Sequence, residues 1–295
     1  MKNDQAGSDT RLHRDIKQII ILLFITVLLV LLVNEAHSQN KTTFPLQDDS
    51  YISYPMGENL IFEGQIAPNY PVMQWGTDQS TFKGNITITP KVILKMYRTR
   101  SSPVKTPSYM PKITIQGALD LGSVSLYPFL ILSHHSNGQG GETFVTDDAN
   151  ATSINKESGS FATNFIQLGY FFSLPDLDKH YMGISYEHHP VHGWWFGIDP
   201  AIQDIYGRRR LHYEYKYLGN IFQFETSYTD IIDKPKGIPK GIFSATAKIK
   251  SPVFRKSMWF FASYYQGQDY YNINFNNKTR QGKAGIAIQT KLSVN

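Results

Sequence analysis

Residues 211–217, Leu-His-Tyr-Glu-Tyr-Lys-Tyr, and 222–228, Phe-Gln-Phe-Glu-Thr-Ser-Tyr, decide the fold. In an extended chain, side chains two apart share a face. Leu211, Tyr213, Tyr215 and Tyr217 therefore line one face, with His212, Glu214 and Lys216 on the other. Phe222, Phe224 and Tyr228 likewise oppose Gln223, Glu225 and Ser227, and Phe243, Ala245, Ala247 and Ile249 oppose Ser244, Thr246, Lys248 and Lys250. A soluble sandwich alternates too. What separates the two readings is the crowding of aromatic residues at strand ends, as at Tyr264, Tyr265, Tyr270 and Tyr271 and at Trp194, Trp195 and Phe196. Aromatic girdles at two interfaces belong to a transmembrane barrel.

Outward from these segments, short alternating runs recur between Gly, Pro, Asn and Asp. They are predicted at 59–66, 71–75, 83–97, 112–121, 124–133, 162–174, 181–188, 209–217, 221–228, 242–250, 257–265 and 282–291. That gives an all-β, antiparallel transmembrane barrel of about 12 strands, an even number that lets every backbone group pair. Residues 149–160 and 235–241 read as loops, and 39–55 as an irregular lead-in.

At the N-terminus, Lys2, Arg11, Arg14 and Lys17 precede an apolar run from Ile19 to Val33, interrupted only by Thr26. The run is short for a spanning helix and suits a secretory signal, with Ala36-His37-Ser38 as the small-residue cleavage site. Residues 1–38 are read as a cleaved signal peptide and 39–295 as one barrel domain. The chain has no Cys, which excludes disulfides and thiolate metal sites. Its formal net charge of +5 is scattered, with one tight run at Arg208-Arg209-Arg210. Without a binding motif this argues against nucleic acid and suits a membrane rim.

A second stretch carries chemistry. Leu130-Ile131-Leu132-Ser133-His134-His135-Ser136-Asn137-Gly138-Gln139 runs an apolar strand into a polar corner. His134 and Ser136 share a face with Leu130 and Leu132. That pairs a general base with a hydroxyl nucleophile on an apolar surface. The plainer reading is an ordinary turn, since Asn-Gly is a common turn pair. Glu187-His188-His189-Pro190-Val191-His192 is loosely spaced for zinc, but Pro190 breaks any helix that would align it.

Three patches together resemble the outer membrane phospholipase A family of twelve-stranded barrels. His134-His135-Ser136-Asn137-Gly138 is similar to its His-x-Ser-Asn-Gly run. Gly159-Ser160-Phe161-Ala162-Thr163-Asn164 resembles its Ser-x-x-x-Asn segment, and the stretch from Tyr270 to Arg280 its C-terminal hairpin. Ser101-Ser102-Pro103, with Tyr109 and Pro111, is a weaker match. The resemblance implies Ser136 as nucleophile, His134 as base and Asn164 as the residue that orients it. It also implies an oxyanion hole at the Ser136 or Gly138 N–H groups. A Ca²⁺ ion would be held by the Ser160 hydroxyl, the Gln139 carbonyl and, from a partner subunit, a Ser101 hydroxyl. The implied activity is calcium-dependent hydrolysis of glycerophospholipid acyl esters, of A1, A2 and lysophospholipase type. A homodimer would carry it out in the outer membrane of a Gram-negative-type bacterium. The competing expectations are a catalytically silent pore or structural barrel and a lipid A deacylase. The latter is disfavoured by chain length and by Asn rather than an acid at position 164.

Overall fold

The structure is a computed structural model and describes residues 44–56, 59–77, 80–99, 103–174, 177, 179–191, 197–233, 239–253 and 257–289. Strands β1 (Ser50–Met56), β2 (Leu60–Ile66), β3 (Tyr70–Trp75), β4 (Phe82–Tyr97), β5 (Ser108–Asp120) and β6 (Ser125–Ser136) open the chain. A small hairpin, β7 (Phe144–Thr146) and β8 (Thr152–Ile154), interrupts the meander. It resumes with β9 (Ala162–Ser173), β10 (His180–His188), β11 (Arg209–Leu218) and β12 (Phe222–Ile231). The last strands are β13 (Gly241–Lys250), β14 (Met258–Gln268) and β15 (Lys278–Ile288).

Every neighbouring pair is antiparallel, and β1 pairs with both β2 and β15, which closes the sheet on itself. Both β2 and β3 run along β4, β2 beside Val92–Tyr97 and β3 beside Gly84–Ile88. They are one barrel strand broken at Ala67-Pro68-Asn69, where Pro68 has no N–H for the ladder. The barrel thus has twelve strands, as expected, but two offsetting differences lie behind the number. The interrupted strand reads as two in sequence. The strand at Ser50–Met56, by contrast, falls within the supposed lead-in, so only its described residues 44–49 are irregular. The strand expected to stop at Ser133 continues to Ser136.

The faces follow the alternation, apolar outward and polar inward. Leu168 and Tyr213 lie exposed on the outer wall, whereas Glu63, Lys95, Gln116, Glu187 and Lys216 are buried in the lumen. Ordinary cores have the opposite arrangement, and a lipid-facing wall requires this one. Five outer aromatics, Tyr54, Tyr109, Tyr186, Tyr228 and Phe243, form a girdle near one rim, each between 40% and 53% exposed. Its members differ from those read in sequence. Tyr265, Tyr270 and Tyr271 turn inward, where Tyr265 and Tyr270 line a lumen cavity and Tyr271 is 1% exposed. Trp194, Trp195 and Phe196 lie outside the described residues, as does the whole 1–38 segment.

One rim has short connections, such as 121–124 and 219–221, and the other has long ones, including 137–161 and 189–208. Loop length of this kind distinguishes the periplasmic from the external end of such barrels. Under the long loops sits an apolar cap of Phe161, Ile198, Ile202, Tyr206, Ile273 and Phe275. A second apolar cluster, Phe129, Ile131, Phe171 and Tyr181, fills the lumen behind β6, β9 and β10. Gly183 makes room for it, because a Cβ there would lie 2.5 Å from the Phe171 ring.

Candidate active site

The end of β6 lies against the start of β9 at the long-loop rim, with His134 opposite Asn164 and Ser136 opposite Ala162. Strand periodicity sends Ser133 and His135 inward, where both are buried, and His134, Ser136 and Asn164 outward. On the outer wall, His134 Nδ1 lies 2.8 Å from Asn164 Oδ1. The Asn164 amide also donates through Nδ2 to the Gly197 carbonyl at 2.8 Å. That bond fixes which amide atom faces the ring. His134 therefore donates Nδ1–H to Oδ1, and its Nε2 is left as the basic nitrogen. Among the described residues Ser136 makes no hydrogen bond to His134. It follows two positions along the same face, and the gap is of a kind that substrate binding closes in such pairs.

The loop after Ser136 is held by a residue whose role spacing does not reveal. Asn137 is 1% exposed and uses its whole amide. Oδ1 accepts from the N–H groups of Gln139 and Phe161 at 3.2 and 3.1 Å. Nδ2 donates to the Gly159 carbonyl at 2.8 Å and to Gln139 Oε1 at 3.1 Å. Its backbone N–H bonds the Phe161 carbonyl as well. Both ends of the 137–161 loop are thus tied through one side chain, and Ser136 stands at its edge. Gly138 follows with φ +68°, which favours glycine, and a Cβ there would approach the Tyr109 ring to 3.2 Å, so the ring would have to shift to admit one. Among the described residues no backbone bond consumes the Gly138 N–H. Asn137→Ala would leave several buried groups unpaired, at about 1–3 kcal/mol. The expected result is a barrel that still folds, with faster amide hydrogen exchange across 137–161 than in the unaltered protein.

Two of the three expected cation ligands belong to this loop. Gln139 is pinned by Asn137 and donates Nε2–H to the Glu157 carbonyl at 2.9 Å. Ser160 donates its N–H to the Gly141 carbonyl at 2.8 Å. Ser101 lies outside the described residues. Among those described, no group of three or more His, Asp or Glu side chains could hold a metal ion. The available donors are neutral oxygens. The stretch from Tyr270 to Arg280 lies behind the site, where Phe275 packs on Phe161 and Asn277 accepts from Lys156 at 2.8 Å. Asn272 donates to the Thr106 carbonyl at 3.0 Å, and Tyr271 packs under the mouth. The motif thus braces the loop that follows 101–102.

Among the described residues the histidine run does not converge as a set of metal ligands. His189 is buried in the lumen with both ring nitrogens engaged, Nε2 on Glu187 at 2.8 Å and Nδ1 on Thr163 at 2.7 Å. Burial holds its pKa below the usual histidine value despite the Glu187 carboxylate. His188 stacks on Tyr186, and His192 is outside the described residues.

Taken together, the closed polar-lumen cylinder and its lipid-facing His–Asn pair define an outer membrane β-barrel with an externally facing polar site. Among solved structures, the chain is similar to outer membrane phospholipase A from Escherichia coli, at TM-score 0.56 and 14% identity, over 82% of this chain and 92% of that one. An active-site mutant of the Escherichia coli protein gives TM-score 0.55, also at 14% identity, over 86% and 94%. The Salmonella typhi outer membrane phospholipase dimer with bound calcium gives the same TM-score, identity and coverage. At this identity the likeness is one of fold. No protein-family model and no curated protein matches the sequence.

Proposed function

We propose that the protein is a lipid-facing ester hydrolase acting on acyl chains of membrane glycerophospholipids, with Ser136, His134 and Asn164 as its working groups. The observation that carries this reading is the 2.8 Å His134–Asn164 bond on the outer wall, with Ser136 two residues along the same face. A packing histidine has no need of an outward amide that is itself held by a loop carbonyl. The structural neighbours add support, because one is a phospholipase bearing an active-site mutation.

In this mechanism the Ser136 hydroxyl attacks the ester carbonyl carbon and its proton passes to His134 Nε2. Asn164 keeps the proton on Nδ1 and so keeps Nε2 basic. The C–O bond to the glycerol side breaks, His134 returns the proton to that oxygen, and water releases the fatty acid by the reverse path. The Ser136 or Gly138 N–H would donate to the developing oxyanion. Being neutral, Asn164 stabilises the imidazolium less than a carboxylate would, but costs less to place beside lipid.

A calcium ion suits the oxygen donors here, with the Gln139 carbonyl and Ser160 hydroxyl on this chain and Ser101 from a second copy. Six to eight ligands are needed, so water would complete the shell. Bound there, the ion would polarise the ester carbonyl. A ligand shared across subunits would make the homodimer the active form. Against the pore reading stand the buried Glu63–Lys95–Lys283 ion cluster and the Phe129–Phe171 apolar cluster, both inside the lumen.

The test is release of fatty acid from diacyl phosphatidylcholine micelles by residues 39–295 refolded in detergent. Release that stops on adding a calcium chelator and returns with excess Ca²⁺ is expected. No release under any condition would overturn the hydrolase reading, and release indifferent to chelation would remove the calcium site alone.

A further inference from the structure

The segment before the first strand, residues 44–49, does not hang outside the barrel. It enters the lumen and reaches walls on opposite sides. Phe44, 1% exposed, packs on Ala118 and Tyr127 of β5 and β6. The Pro45 carbonyl accepts from Lys216 Nζ of β11 at 3.0 Å. Leu46 joins the Phe129–Phe171 cluster. Asp48 then pairs with Lys112 at 2.6 Å and Lys91 at 3.3 Å, and Asp49 with Lys248 of β13 at 2.6 Å. Gln65 and Asn69 donate to the Asp49 and Asp48 carbonyls, each at 2.7 Å. Six residues thus bond or pack against β2, β4, β5, β6, β11 and β13.

Above this segment, polar space continues along one side of the lumen. A cavity of about 390 Å³ is lined by Asp48, Asp49, Lys91, Lys248, Tyr270 and Lys283. Higher on the same strands, a mouth cavity of about 740 Å³ is lined by Tyr97 of β4, Thr279 of β15 and Asp269. Between them lie Glu63, Lys95 and Lys283. The apolar clusters fill the other side. The result is a charged, polar lower cavity, separated from the mouth by the buried Glu63 and Lys95 and stopped below by the segment.

We propose that Phe44–Asp49 is an internal plug that closes this lower polar cavity to small water-soluble ions from the short-loop end of the barrel. Its grip is ionic at Asp48 and Asp49 and apolar at Phe44 and Leu46. The inference is independent of the hydrolase reading, because none of these residues faces the outer wall.

The absence of native Cys makes the test direct. Ser263 lines the lower cavity and takes no part in the plug, so Ser263→Cys reports access to it. A cationic methanethiosulfonate reagent is applied to the full barrel in detergent, and the labelling rate is read by mass. In the Asp48→Lys/Asp49→Lys background, labelling is expected to accelerate at least about tenfold, since like charges replace three lumen ion pairs. Equal rates with and without those substitutions would overturn the plug. Heat-shift electrophoresis checks folding. If the double variant fails that check, Phe44→Ser, which removes only the apolar anchor, is read in its place by the same criterion.

Discussion

Replacing Ser136 by alanine is expected to lower kcat for phospholipid ester release by roughly 10³-fold or more, with KM little changed. The magnitude follows from what the hydroxyl does. It supplies the bond-forming atom, and without it only binding and oxyanion stabilisation remain. The substitution removes one oxygen from a half-exposed side chain on the outer wall, so the barrel should fold as before. His134→Ala should match it, because a nucleophile without its base and a base without its nucleophile fail together. Asn164→Ala should cost less, roughly 10- to 100-fold, since the ring remains and only its orientation is released. Ser133→Ala is the control. Its hydroxyl points inward and donates to the Pro111 carbonyl at 3.2 Å, so activity should be kept. Activity that survives Ser136→Ala but not Ser133→Ala would place the chemistry on the wrong face of β6, and the outer site would have no role.

That the two serines can be told apart at all shows where the sequence is informative. Period-two alternation is a local property, and it places His134 with Ser136 and away from Ser133 whatever the rest of the chain does. It also gives the polar-in, apolar-out wall, because Glu214 and Lys216 cannot face lipid while Tyr213 and Tyr215 can. Asn164 is different. Its meeting with His134 depends on the β6–β9 register across a loop of 25 residues, 137–161, and nothing in either strand alone specifies it. Resemblance to a known motif suggests the pair, and the register delivers it. The Gly197 carbonyl that orients Asn164 lies beyond both routes, because backbone carbonyls carry no residue signature. Asn137 is legible only as a turn residue, since burial, which converts a turn amide into a clamp, is set by the packing of Phe161 above it. The strand at Ser50–Met56 escapes a reading by pattern for a related reason. Tyr51 and Ser53 face a lumen that accepts polar groups, so the segment lacks the contrast that marks a strand elsewhere.

The largest effect on stability is expected at the far side of the lumen, from Glu63→Met. Glu63 is fully buried, and its carboxylate meets Lys283 at 2.7 Å, Lys95 at 3.8 Å, and the hydroxyls of Tyr51 and Tyr270 at 2.7 and 2.5 Å. These partners come from β1, β4, β15 and the turn after β14, so one side chain joins four parts of the closing seam. Removing it leaves two lysines in a space with little water. Asp269 at 3.7 Å from Lys95 and the Tyr270 ring under both ammonium groups compensate only in part. Breaking a buried pair in this way costs about 3–5 kcal/mol, far more than the pair itself contributes over an apolar replacement. The asymmetry gives the measurement its power. In urea unfolding followed by tryptophan fluorescence, Glu63→Met should lose that amount, while Glu63→Met combined with Lys95→Met and Lys283→Met should recover most of it. If the triple variant were the less stable of the two, the cluster would be contributing net stability as an ion network. If the single variant lost under about 1 kcal/mol, water must reach Glu63, and the seam would be hydrated rather than sealed.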